Sequence, residues 1–125
     1  MNYKITPRSP IGIFDSGIGG LTVAKSLFKL LPNENIIYLG DSARLPYGTK
    51  SKETVILYSI ECLKFLLKQK VKLIVIACNT SSAISVPFLR KITKIPIIGV
   101  IEPGAYAAAL SSKSGKIGVI GTRAT

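Results

Sequence analysis

An alternation of two hydrophobic periods constrains this chain more than any other feature. Five short runs rich in β-branched residues, at 11–14, 36–39, 73–77, 95–98 and 117–120, are bounded by polar or glycine positions and read as strands. Longer helical patterns lie between them, at about 19–31, 51–69, 80–93 and 104–112. Parallel strands need such crossovers, so the order βαβαβαβαβ predicts an α/β fold, a mostly parallel sheet with helices on both faces. The run Leu73-Ile-Val-Ile-Ala77 is apolar without a break and is expected at the sheet centre. In the 51–69 helix, Val55, Tyr58, Cys62, Phe65 and Leu66 form one stripe facing the sheet, with Cys62 as a small buried hydrophobe.

With 125 residues, 47% of them apolar, the chain can bury one real core, and two complete domains would be cramped. At Glu102-Pro-Gly104 a strand runs out before an alanine-rich helix, which marks a hinge or domain edge. The expected organisation is a first α/β domain over 1–98 and the beginning of a second over 99–125, cut short before completion. No apolar run approaches the roughly 18 residues of a membrane span. The stretch 11–14 is stopped at once by Asp15, which leaves no signal-peptide core. A cytoplasmic, membrane-free protein is expected.

Two cysteines and no histidine exclude ordinary zinc clusters and any His-based triad within these residues. The net charge of +11 invites a nucleic-acid reading, and Lys64, Lys68, Lys70 and Lys72 do cluster. Only one aromatic, Phe65, falls among them, with no run of alternating aromatics, and lysines at a helix end also complement its dipole, so nucleic acid is the weaker reading although the charge leaves it open.

In open parallel sheets ligands bind beyond the carboxyl ends of the strands. The residues at that rim are Asp15-Ser-Gly-Ile-Gly-Gly20, Asp41-Ser42 with Pro46-Tyr-Gly48, Cys78-Asn-Thr80 and Gly121-Thr122. The glycine stretch fails as a dinucleotide fingerprint, because Thr22 stands where a third glycine is needed, and it also lacks Walker A spacing. It can still offer helix N-terminal N–H groups to a small anion such as a carboxylate, or Asp15 and Ser16 can simply cap the helix. Tyr47 fits either a ligand contact or a turn tyrosine packed at the surface. Cys78 stands between a strand and a helix N-terminus, a position that favours negative charge, with Asn79 and Thr80 as donors in the same turn.

The ordered set Phe14-Asp-Ser-Gly-Ile-Gly-Gly-Leu-Thr-Val23, Gly40-Asp41, Pro46-Tyr-Gly48, Ala77-Cys-Asn-Thr80 and Gly121-Thr122 resembles the N-terminal half of the cofactor-independent aspartate/glutamate racemase family. Its Asp-Ser-Gly and Pro-Tyr-Gly stretches favour the glutamate racemase branch. The resemblance implies interconversion of L- and D-glutamate, supplying D-glutamate for peptidoglycan. Two cysteines on opposite faces of the substrate α-carbon would do the work, without pyridoxal phosphate, other cofactor or metal. It matches Cys78 to the first catalytic cysteine and Asp15 to the carboxylate beside it. Ser16, Tyr47, Gly48, Asn79, Thr80 and Thr122 match positions that grip the amino acid. It also implies a homo-oligomer for the full-length protein. The family's second cysteine, in a Gly-Cys-Thr-His motif, has no counterpart here, so this chain is expected to be inactive alone. A non-catalytic binding module with a DNA or protein partner is the alternative.

Overall fold

A computed structural model describes residues 4–125, so the first three residues of the expected 1–98 domain lie outside it. Four strands, β1 (Ile11–Asp15), β2 (Ile36–Gly40), β3 (Leu73–Ile76) and β4 (Ile97–Gly99), form one sheet in the order β2-β1-β3-β4 with every pair parallel. The helices among the described residues are α1 (Leu21–Leu30), α2 (Lys52–Lys68), α3 (Asn79–Ile92) and α4 (Ile101–Ser111), with a 3₁₀ turn at Tyr47–Thr49. The expected α/β class is present. No helix among the described residues is long and apolar enough to cross a membrane.

Strand alternation divides the core. Ile11, Ile13 and Val75 point to the face covered by α1, where Ala24 is buried with Val23 and Leu27 packed around it. Phe14, Ile74 and Ile76 point the other way, against Cys62, Leu63 and Leu66 of α2 and Val86 and Leu89 of α3. Both sheet faces are thus covered by helices, as parallel pairing demands. Behind this second face the α2–α3 contact carries three fully buried serines, in which Ser85 Oγ donates to Ser59 Oγ at 2.9 Å and Ser59 Oγ lies 3.2 Å from Ser81 Oγ. Their hydroxyls satisfy one another, so helices approach closely without an unpaired polar group.

Several expectations need correction. Residues 117–120 do not form a strand; they run beside α4 as irregular chain, with Val119 79% and Ile120 103% exposed. A β-branched run becomes a strand only where a neighbour satisfies its backbone groups, and no strand pairs with this one among the described residues. Helix α4 begins at Ile101, before the Pro-Gly pair rather than after it. Pro103 falls in the first turn, where its missing N–H removes no helical bond. Phe65 is 45% exposed and faces outward, while Ser59 and Leu63 take buried places on the stripe of α2. Helix α4 buries no residue, and Tyr106 and Leu110 stand exposed on it.

Tight backbone packing at the start of α1 yields a test. A Cβ added at Gly20 would lie 2.7 Å from both Asp15 Cβ and Ala77 Cβ, atoms fixed to two neighbouring strands. Gly20→Ala is expected to cost about 1–3 kcal/mol, because neither neighbour can rotate away. Urea unfolding should show a lowered midpoint at unchanged slope.

Candidate active site

The strand order reverses at β1. From there the chain passes outward to β2 on one side and to β3 on the other, which opens a crevice at the carboxyl ends of β1 and β3. Asp15 ends β1, and its main chain is clasped from one side, with Asp41 N–H donating to Asp15 O at 2.9 Å. On the other side Ala77 N–H donates to Phe14 O at 2.9 Å, which delivers Cys78 to the same rim.

Asp15 is buried, and its Oδ2 accepts from Gly20 N–H at 2.9 Å and Gly17 N–H at 3.2 Å. This carboxylate organises the glycine loop and does not cap α1, whose N-cap is Gly20 with no side-chain cap bond, and it still lines the crevice. Tyr38, which sequence reasoning passed over as one more strand residue, donates its hydroxyl to Gly17 O at 2.9 Å and comes within 3.5 Å of Asp15 Oδ2. Burial, with the Asp15 charge adding to it, pushes the Tyr38 hydroxyl up to about 12, so it remains a donor. The alternation of 36–40 could have placed its side chain on the α1 face, but nothing local shows that it reaches the loop.

Cys78 occupies the N-cap of α3, where its Sγ accepts from Ser81 N–H at 3.4 Å. A thiol at an N-cap takes the place of the usual hydroxyl or carboxylate and sits against the positive end of the helix. Next in the helix, Thr80 is buried and its hydroxyl lies 2.9 Å from that of Thr122. Ser82 Oγ donates to Ile76 O at 2.9 Å and accepts from Val100 N–H at 3.1 Å, which ties the end of β3 to the start of α4.

A cleft of about 630 Å³ gathers Asp15, Ser16, Cys78, Asn79, Thr80 and Thr122. Two expected residues are placed differently. Tyr47 is 1% exposed, and its hydroxyl donates to Asp41 Oδ2 and faces Cys62 Sγ at 3.9 Å, away from the cleft. Gly48 backs the cleft wall, because a Cβ there would meet Thr122 Cγ2 at 2.4 Å. A larger hollow of about 800 Å³ lies on the far side of Gly48, bordered by Lys50, Lys52, Phe88 and Arg123. It offers no carboxylate or thiol, so the smaller cleft is the one equipped for proton transfer. Among the described residues no group of three or more Cys, Asp or Glu stands where it could hold a metal ion.

Cys62 does not line the cleft. Burial pushes its thiol up to about 11; the Asp41 and Glu61 carboxylates add to the rise, while the Tyr47 hydrogen bond and Arg44 oppose it. The neutral thiol anticipated on this helical stripe follows. Because the folded state holds this proton more tightly than a free thiol at 9.0, stability is fully present below about pH 9 and is lost as pH rises toward 11. Tyr38 acts with the same sign above pH 10. Denaturation midpoints measured from pH 8 to 11 should fall across that window, and Cys62→Ala should flatten the first part of the fall. Alkylation of Cys62 in the folded protein should rise with pH and reach half its limiting rate only near pH 11.

A family model described as Asp/Glu/Hydantoin racemase matches residues 11–125. The glutamate racemase of Geobacter metallireducens is 56% identical over 119 residues, covering 95% of this chain and 44% of its own length. The solved glutamate racemase from Aquifex pyrophilus superposes with a TM-score of 0.89 at 53% identity, over 92% of this chain and 46% of that one. A Francisella tularensis glutamate racemase, solved in complex with D-glutamate, gives a TM-score of 0.84 at 52% identity over 94% and 44%. The chain therefore spans less than half the length of these relatives. Since the family model reaches from the first strand to the last residue, over the same segments that build the cleft, the chain belongs to the Asp/Glu/hydantoin racemase family.

Proposed function

We propose that the cleft is one half of a cofactor-independent glutamate racemase site, working in the cytoplasm to supply D-glutamate for peptidoglycan. The observation that carries the reading is the placement of Cys78, a thiol at a helix N-terminus, in one cleft with Asp15 and with the hydroxyls of Ser16, Thr80 and Thr122. In this reading the Cys78 thiolate takes the α-proton of bound glutamate and becomes the thiol. The electron pair left on the α-carbon spreads into the adjacent carboxylate, whose growing charge is met by Asn79, Thr80 and the first N–H groups of α3. A thiol on the opposite face then gives its proton to the α-carbon, and the configuration inverts.

Only Cys78 of the two cysteines can act here, since Cys62 lies under the cleft wall beside Tyr47. The second thiol is assigned to sequence corresponding to the remainder of the longer relatives, with 1–98 as the first domain and 99–125 as the beginning of the second. Residues 99–125 and the exposed face of α4 would pack in that larger unit, a homo-oligomer when full length.

These 125 residues should not racemise glutamate. In D₂O, proton NMR should show loss of the α-proton signal for one enantiomer only, while circular dichroism shows no inversion, and Cys78→Ser should abolish the exchange. Sustained inversion by the purified chain would contradict the two-thiol division, and exchange that survives Cys78→Ser would remove the assigned base.

A further inference from the structure

A cluster of ionisable side chains lies beneath the cleft and outside it: Asp41, Arg44, Tyr47, Tyr58, Glu61 and Cys62. Asp41 Oδ2 accepts from the Tyr47 hydroxyl and from Arg44 Nε at 2.7 Å. The Arg44 guanidinium also pairs with Glu61 and lies 4.2 Å from the centre of the Tyr58 ring, which in turn tilts against Tyr47 at 5.7 Å. Burial, then the Asp41 hydrogen bond, raises the Tyr47 hydroxyl far above its ordinary range, so it stays a donor at any working pH.

Asp41 holds two walls at once. Its backbone N–H grips the carbonyl of Asp15, at one side of the cleft. Its carboxylate grips Tyr47, whose 3₁₀ turn presses Gly48 against Thr122, and Thr122 meets Thr80 at the other side. We infer that Asp41 is a positioning residue: acting through the Tyr47 hydroxyl, it sets the Gly48 turn, and with it the Thr122–Thr80 wall, at a fixed separation from Asp15. Tyr47 then serves the site through its backbone, and its phenol is the anchor rather than a ligand contact. The inference rests on the cleft being the glutamate site.

The test is amide NMR of the labelled chain with Tyr47→Phe, Asp41→Asn, Asp41→Ala and the Tyr47→Phe/Asp41→Asn pair. Tyr47→Phe deletes one hydroxyl and leaves the ring in place, so it decides the matter even if an Asp41 variant fails to fold. Resonances of Gly48, Thr80 and Thr122 should shift in Tyr47→Phe. Asp41→Asn, which keeps an acceptor for the phenol, should shift them less than Asp41→Ala. The pair should shift them no further than Tyr47→Phe alone, because both changes act on one link. Glutamate added to the parent chain should move Ser16 and Asn79, and glutamate added to Tyr47→Phe should move them less at equal concentration. Shifts confined to Cys62 and its neighbours on α2, with Gly48, Thr80 and Thr122 unmoved, would overturn the inference. A parent chain unmoved by glutamate would instead count against the racemase reading, while the substitution shifts still judge the anchor.

Discussion

The pairing of β1 with strands on both sides is the constraint on which the rest of the molecule depends. Its register aligns Asp15 with Gly40 of β2 and Phe14 with Ile76 of β3, so three chain segments leave the sheet side by side. Everything chemical sits on those exits. The close approach is possible because glycine occupies the tightest points: a Cβ at Gly40 would lie 2.4 Å from Gly17 O, and one at Gly20 would strike both Asp15 and Ala77. Buried on both faces, β1 cannot slide by one residue without turning Phe14 out of one core layer and Ile13 out of the other.

From that frame the cleft follows with few extra parts. The Asp15 carboxylate folds the glycine loop back onto the rim, and the end of β3 turns directly into α3 with Cys78 as its cap. Residues with different chemical duties share single backbone devices. Asp15 organises a loop and faces the cleft; Thr80 belongs to the first turn of α3 and to the cleft wall; Ser82, on the helix that Cys78 caps, joins β3 to α4. Stability and geometry are therefore coupled, and substitutions at these positions change both.

Much of this was legible in the sequence because the periods were clean. Uninterrupted Leu73–Ala77 announced a central strand, and a thiol and a carboxylate directly after strands announced the rim. What failed did so where tertiary surroundings decide. The run 117–120 has strand composition but no partner strand, and Phe65 has helical spacing but lies beyond the angular reach of the core. Tyr47 illustrates a different limit: its place in a Pro-Tyr-Gly turn shows that the backbone bends there, whereas the direction of its ring depends on Asp41 and Cys62, brought close only by folding. The double duty of Asp41 was likewise invisible, since its two bonds run to residues 26 positions earlier in one case and to the following turn in the other.

In the proposed function glutamate occupies the cleft between Asp15 and Thr122 and not the larger basic hollow behind Gly48. Titrating L- and D-glutamate into the isotope-labelled chain and mapping the amide shifts tests this most directly. Ser16, Asn79, Thr80 and Thr122 should be perturbed, with Lys50, Lys52 and Arg123 left in place. Shifts concentrated at Lys50, Lys52 and Arg123, with the Asp15 and Cys78 segments unmoved, would contradict it.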